Sequence, residues 1–211
     1  MSTSATFTIL LGGPLTATPR LLAQVAGARC IAADGGMVHS RALGLEPELW
    51  VGDFDSTPAH LEADYGHVPR QTHPADKDKT DGEIAIEAAL TRGAGSLVLA
   101  GGLGGETGHA LGHLALLLAL AGRGIRAFAT SGLEEAYPLT GGTALAPRLT
   151  PGARLSIIAF STLSGLNISG VRWPLTNSHI ASGSTRTLSN VVTGDAQISL
   201  TAGSAILVAS P

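Results

Sequence analysis

Cysteine is all but missing from this chain: 211 residues carry one, Cys30, set in the apolar stretch RCIAAD. One thiol excludes an internal disulfide and reads as a buried structural group in a reducing compartment, so a cytoplasmic location is expected. Charge is scarce as well, at 14% Asp, Glu, Lys and Arg, with a net charge of −3. That balance excludes the basic footprint of a protein that binds nucleic acid or an anionic membrane. The opening MSTSATFTILLGG has neither a basic n-region nor a sustained apolar run, and no signal peptide is expected. A bilayer requires roughly 20 apolar residues. The most apolar stretch, Ala110–Ala121, is shorter and reads as a core helix. Several catalytic signatures are also missing. Gly101–Gly105 is not a Walker loop, no serine sits in G-x-S-x-G, and His109 and His113 share a helical face without the Glu of a zinc-protease motif. The two histidines therefore read as packed or capping residues.

What is present in quantity is apolar material, 44% of the chain, ample for a sizeable core in one domain or two small ones. In the first part, strand and helix signals alternate. Phe7–Leu11, Cys30–Ala33, Leu49–Val51, Ser96–Ala100 and Ile125–Thr130 read as strands; Pro19–Ala26, Met37–Leu43, Thr80–Leu90 and Ala110–Ala121 read as helices. Thr80 and Glu83 form a capping box, with Asp81 in the first turn where the helix dipole favours it. This alternation predicts an α/β fold with a largely parallel sheet. After it, short β-like runs (Leu155–Phe160, Leu166–Val171, Thr185–Val192, Ala196–Leu200, Ile206–Val208) are separated by turn residues, including Thr193-Gly194-Asp195. The expected fold is an N-terminal Rossmann-like parallel α/β domain over 1–131, followed by a C-terminal antiparallel β-sandwich over 132–211.

The densest chemistry lies in LWVGDFDST, Leu49–Thr57, and in DKDKTD, Asp76–Asp81. Side chains alternate along a strand, so Asp53 and Asp55 are expected to face one point, with Gly52 admitting a ligand to the backbone. With Asp76, Asp78 and Asp81 nearby, the carboxylates suit a hard divalent cation such as Mg²⁺. Parallel sheets bind ligands at the carboxyl ends of their strands, where Asp34, Asp53 and Gly101–Gly105 all fall. Gly101–Gly105, between a strand and a helix, fits a phosphate-binding turn.

Hydrophobics followed by D-x-D-x-T also resemble the haloacid-dehalogenase phosphatases, in which the first Asp is the nucleophile. That family places the motif on its first strand, and here two strand signals precede it. A broader match runs through five segments in order: Ala33-Asp34-Gly35-Gly36, Gly52–Ser56, Asp76–Asp81, Gly101–His109, and GVRWPLTN (Gly170–Asn177) with Ser189-Asn190. Together they resemble the thiamine pyrophosphokinase family. The resemblance implies a homodimer with shared active sites and transfer of the pyrophosphoryl group of ATP to the hydroxyl of thiamine, with Mg²⁺. It implies catalytic and metal roles for Asp53, Asp55 and Asp81, and ATP contacts from Asp34, Gly35, Gly36, Lys77, Lys79, Thr80, Gly104 and Gly105. It implies thiamine contacts from Trp173, Ser189 and Asn190. The family's glycine loop usually continues Gly-Gly-Arg-x-Asp-His, whereas Glu106 and Gly108 stand in place of the arginine and aspartate here. Weakened activity, or binding without catalysis, is therefore a further expectation.

Overall fold

The computed structural model describes residues 5–55, 57–73 and 78–211. By internal packing the chain divides into two units, Met1–His113 with Ile125–Gly132 and Leu114–Gly124 with Leu133–Pro211.

The first unit is a parallel sheet of six strands: β1 (Ala5–Leu10), β2 (Arg29–Ala33), β3 (Leu49–Gly52), β4 (Arg70–Thr72), β5 (Ala94–Ala100) and β6 (Arg126–Thr130). They lie in the order β6-β5-β1-β2-β3-β4, every pairing parallel. β3 is buried at all four residues, as expected where helices cover both faces and the strand sequence is a continuous apolar run. β4 is short and partly exposed, a common way to end a sheet without leaving a sticky edge. Among the described residues, five α-helices connect or follow the strands: α1 (Pro19–Val25), α2 (Ser40–Leu43), α3 (Ala59–Tyr65), α4 (Asp81–Thr91) and α5 (Thr107–Gly122). Thr18 caps α1 by accepting from the Leu21 amide at 3.2 Å, and Pro19 opens the helix with its φ preset. Thr80 caps α4 in the same way, accepting from the Glu83 amide at 3.3 Å. The back half of α5 groups with the second unit.

One local expectation is corrected here. Met37–Leu43 is not one helix: a 3₁₀ turn over Asp34–His39 precedes the short α2. Gly36 there lies so close to β1 that a Cβ would sit 2.2 Å from the Leu10 carbonyl oxygen, so the chain must begin winding directly at the strand end. The helix α3 and strand β4 are too short for their sequences to show a period.

The second unit is antiparallel. One layer is β9 (Arg154–Ala159), β13 (Ser204–Ser210) and β7 (Glu135–Thr140); the other is β11 (Leu175–Ile180), β10 (Leu163–Val171), β12 (Asn190–Leu200) and β8 (Thr143–Leu145). Leu155, Ile157, Leu166, Ile168, Ile198 and Leu207 form part of the apolar filling of this β-sandwich. Thr193-Gly194-Asp195 does not end a strand: β12 runs through it. The register against β10 slips between Ser169 and Val171, where Gly170 (φ +70) packs against the Asp195 carbonyl. The turn residues make a bulge instead of a turn. Among the described residues, no helix is long and apolar enough to cross a membrane.

Candidate active site

β1 and β5 are neighbours whose connections diverge, β1 to β2 on one side and β5 to β6 on the other. Such a reversal opens a crevice at the carboxyl ends of the two strands. Gly12-Gly13 after β1 and Gly101–Gly105 after β5 meet there backbone to backbone. A Cβ at Gly13 would lie 2.3 Å from the Gly101 carbonyl oxygen, and one at Gly101 would lie 2.3 Å from that of Leu11. Gly101 also has φ +79, a second reason that only glycine fits. The resulting cavity of about 350 Å³ is lined by these loops, by Asp34 and Gly35 after β2, by Thr80, Asp81 and Gly82 at the start of α4, and by Glu106, His109 and His113. Its size suits a small-molecule site.

Of the residues implied by sequence, the structure brings Asp34, Gly35, Thr80, Asp81, Gly104 and Gly105 to this cavity. Asp34 holds a left-handed backbone (φ +43), and its carbonyl accepts the indole N–H of the fully buried Trp50 at 2.9 Å. Gly36 packs on β1 and is not part of the lining. Lys79 is also elsewhere: its ammonium pairs with Glu87 at 2.6 Å, a hydrogen bond that raises its pKa, and it lines a separate cleft with Asp78 and Gln71. Ser56, Asp76 and Lys77 lie outside the described residues.

Asp53 and Asp55 are not held by strand alternation, because β3 ends at Gly52 and Phe54 adopts φ +63. They form a turn instead, the Asp55 amide donating to Asp53 Oδ1 at 3.1 Å. Phe54 is fixed edge-on to Trp50 at 5.1 Å, with the Arg70 guanidinium over both rings. Next to them, Gly52 packs on Asp34, 3.4 Å separating its β position from Asp34 Cα. Among the described residues, no group of three or more His, Cys, Asp or Glu side chains is gathered tightly enough to hold a metal ion. A donor set of this kind fits Mg²⁺ only with water and substrate phosphates as further ligands, which is how that ion is usually bound.

Two histidines beside the cavity were not assigned to it from sequence. His39 Nε2 donates to the Gly13 carbonyl at 2.9 Å, and His113 Nδ1 donates to the Gly102 carbonyl at 3.0 Å. Burial pushes both imidazole pKa values below 6.5. Gly12-Gly13 after the first strand was a visible signal for its loop; for His39 the sequence holds none. Glu106 stands 3.6 Å from His109, so the cavity lining carries the carboxylates of Asp34, Asp81 and Glu106 and, among the described residues, no Lys or Arg.

In the second unit, Trp173, Pro174, Leu188 and Ser189 line a groove of about 650 Å³ with Arg172 and Arg186. Trp173 is 55% exposed, a large aromatic residue left to solvent. Asn190 is nearly buried behind it: its Oδ1 accepts from the Trp173 amide at 3.1 Å and its Nδ2 donates to the Trp173 carbonyl at 2.8 Å. Its amide therefore holds the tryptophan backbone. Ser189 has φ +60 and its amide donates to Ser156 Oγ at 2.9 Å. Among the described residues the left-handed non-glycines are Asp34, Phe54, Asn177 and Ser189, each within a segment that sequence singled out. Backbone strain of this kind concentrates at functional sites.

A parallel α/β unit with a backbone-walled cavity at its strand-order reversal, followed by a β-sandwich with an exposed tryptophan groove, defines a class of two-unit proteins with a small-molecule cradle. The family model for the thiamin pyrophosphokinase catalytic domain matches residues 23–129, and that for the family's vitamin B1 binding domain matches residues 145–207. The chain belongs to the thiamin pyrophosphokinase family. It is 28% identical to thiamine pyrophosphokinase of Bacillus subtilis (strain 168) over 189 residues, 88% of each chain. A crystal structure of the enzyme from Bacillus subtilis covers 97% of this chain and 98% of its own, at TM-score 0.84 and 26% identity. One from Geobacillus thermodenitrificans covers 98% and 97%, at TM-score 0.80 and 28% identity. Yeast thiamin pyrophosphokinase, 14% identical over 99% of this chain and 87% of its own, shares the fold at TM-score 0.79.

Proposed function

We propose that this chain is a thiamine diphosphokinase: it moves the pyrophosphoryl group of ATP to the hydroxyl of thiamine, giving thiamine diphosphate and AMP. The observation that carries this reading is the glycine-walled cavity at the β1/β5 reversal, in a chain of this family. Its backbone can approach a polyphosphate closely, as no side-chain-lined pocket could. The thiamine hydroxyl oxygen bonds to the β-phosphorus, the bond from that phosphorus to the oxygen it shares with the α-phosphorus breaks, and AMP departs with that oxygen. The hydroxyl proton passes to solvent. Asp81 at the cavity, with Asp53 and Asp55 on the neighbouring turn, would hold Mg²⁺ together with the phosphates. When bound, the ion neutralises charge that develops on the phosphate oxygens. Thr80 and Asp34 orient the nucleotide at the cavity wall. Trp173 offers a π-face suited to the cationic or aromatic rings of thiamine, with Asn190 setting its backbone and Ser189 beside it.

The functional assembly is a homodimer in which the partner's β-sandwich completes each thiamine site. The buried thiol of Cys30, kept protonated by its surroundings, supports a reducing, cytoplasmic setting. Asp53 follows the third strand, not the first, which leaves a dehalogenase-type phosphatase without support. Glu106 and Gly108 favour one second reading, a binder that no longer transfers pyrophosphate. Release of AMP from ATP, dependent on thiamine and Mg²⁺, tests the proposal. Binding of thiamine or ATP without AMP release would establish the second reading in its place.

A further inference from the structure

The reaction above assigns no task to His39 or His113, yet each holds one of the two loops that form the cavity. The loops meet through bare backbone at Gly13 and Gly101, so no side chain at that contact can key one to the other. Glycines also lose the most conformational freedom on being ordered. Backbone bonds anchor the entry of the second loop, Gly101 to the Thr130 carbonyl at 2.8 Å and Gly102 to that of Leu99 at 3.3 Å, and side chains from outside add to them. His39 does so from the 3₁₀ turn after β2, through Nε2 to the Gly13 carbonyl, and His113 from α5, through Nδ1 to the Gly102 carbonyl.

A carbonyl oxygen only accepts, so the bonded nitrogen carries the proton in each ring. Burial opposes a second proton. The neutral tautomers are therefore opposite, Nε2–H in His39 and Nδ1–H in His113. The unprotonated Nε2 of His113 lies 3.7 Å from the β position of Gly82 at the start of α4. As a lone-pair acceptor it cannot bond a phosphate oxygen, which is also an acceptor. In this neutral form His113 has no N–H left to offer a phosphate.

We infer that His39 and His113 are positioning residues: a pair of neutral imidazoles that clamp the two glycine loops in the shape that receives the phosphates of ATP. The inference rests on the ATP-binding role proposed for the cavity.

Side-chain geometry supplies the test. The amide nitrogen of Asn reaches where His Nδ1 stands, and that of Gln reaches where Nε2 stands. His113→Asn and His39→Gln keep the clamping donor; His113→Gln and His39→Asn misplace it. Calorimetric titration of Mg²⁺-ATP should show about tenfold weaker binding for each misplaced variant and for His113→Ala, as expected for one lost hydrogen bond. The matched variants should recover most of that loss. Equal weakening in matched and misplaced variants would overturn the clamp. Imidazole ¹⁵N spectra of the unmodified, ligand-free protein give a second readout that needs no variant to fold. They should show Nδ1–H for His113 and Nε2–H for His39, and the reverse assignment would overturn the clamp. Failure of the unmodified protein to bind ATP would instead overturn the proposed function.

Discussion

At Glu106 a carboxylate lines a cavity that already carries Asp34 and Asp81, at a position where the resemblance of the glycine loop implies arginine. A charge-assisted hydrogen bond from arginine to phosphate contributes roughly 1.5–3 kcal/mol, and an acidic replacement adds repulsion. Glu106→Arg is therefore expected to lower the KM for ATP, or raise kcat/KM, by about ten- to a hundredfold, measured by AMP release. A slower variant would mean that Glu106 serves this chain in a way the arginine cannot. The aspartates invite the opposite change. Asp53→Asn and Asp81→Asn keep volume but remove charge, so turnover should fall by about two orders of magnitude or more as metal-assisted charge stabilisation is lost. Unaltered circular dichroism would show that the fold survives. Asp64→Asn is the control. Among the described residues Asp64 pairs with Arg41, an exposed contact at 3.6 Å, and such surface pairs contribute about 0–1 kcal/mol. Near-normal turnover in Asp81→Asn at limiting Mg²⁺ would remove that residue from the metal site.

At the scale of elements, the 3₁₀ turn after β2 and the second turn of α5 each hold a half-buried histidine whose folded pKa lies below its unfolded value of 6.5. For His113 the cause is burial first, with nearby His109 adding to it. The unfolded chain then binds more protons than the folded one below that pH. The histidine contribution to stability is thus complete above 6.5 and declines as the pH falls through 6.5 toward the folded values. The melting temperature should be level near pH 7–8 and drop on mild acidification. In His39→Gln/His113→Asn that early drop should shrink; an unchanged acid limb would assign it to other groups. The same elements show what local pattern can carry. The buried strands and the cap of α4 follow from apolar runs and from Thr80 ahead of Asp81 and Glu83. The 3₁₀ turn, α3 and β4 do not, being too short for any period to accumulate. In β12, Thr193-Gly194-Asp195 has turn chemistry, but pairing with β10 outweighs it and absorbs the extra residues as a bulge.

For the whole molecule, the proposal places the ATP cavity and the tryptophan groove of each working site on different subunits. Asp81→Asn impairs the first and Trp173→Ala the second. Co-refolding equal amounts of the two inactive variants should restore about a quarter of normal activity, because half of the random dimers are mixed and each has one intact site. No recovery in mixed dimers confirmed by mass would refute shared sites. Trp173→Ala itself should leave stability nearly unchanged, since more than half of the residue is already exposed.

The sequence by itself determined the α/β-then-β order, the strand-end placing of Asp34 and of Gly101–Gly105, and the family to which the five segments belong. These are properties of local period, turn chemistry and residue order along the chain. Tertiary structure alone decided that Gly13 and Gly101 touch, and that His39 and His113 each hold one loop of the cavity. It also decided that Gly36 supports β1 and that Lys79 is paired away with Glu87. Each of these depends on the order of strands in the sheet. β1 and β5 are adjacent in space though about 90 residues apart in the chain, and no short-range pattern records which strand lies beside which.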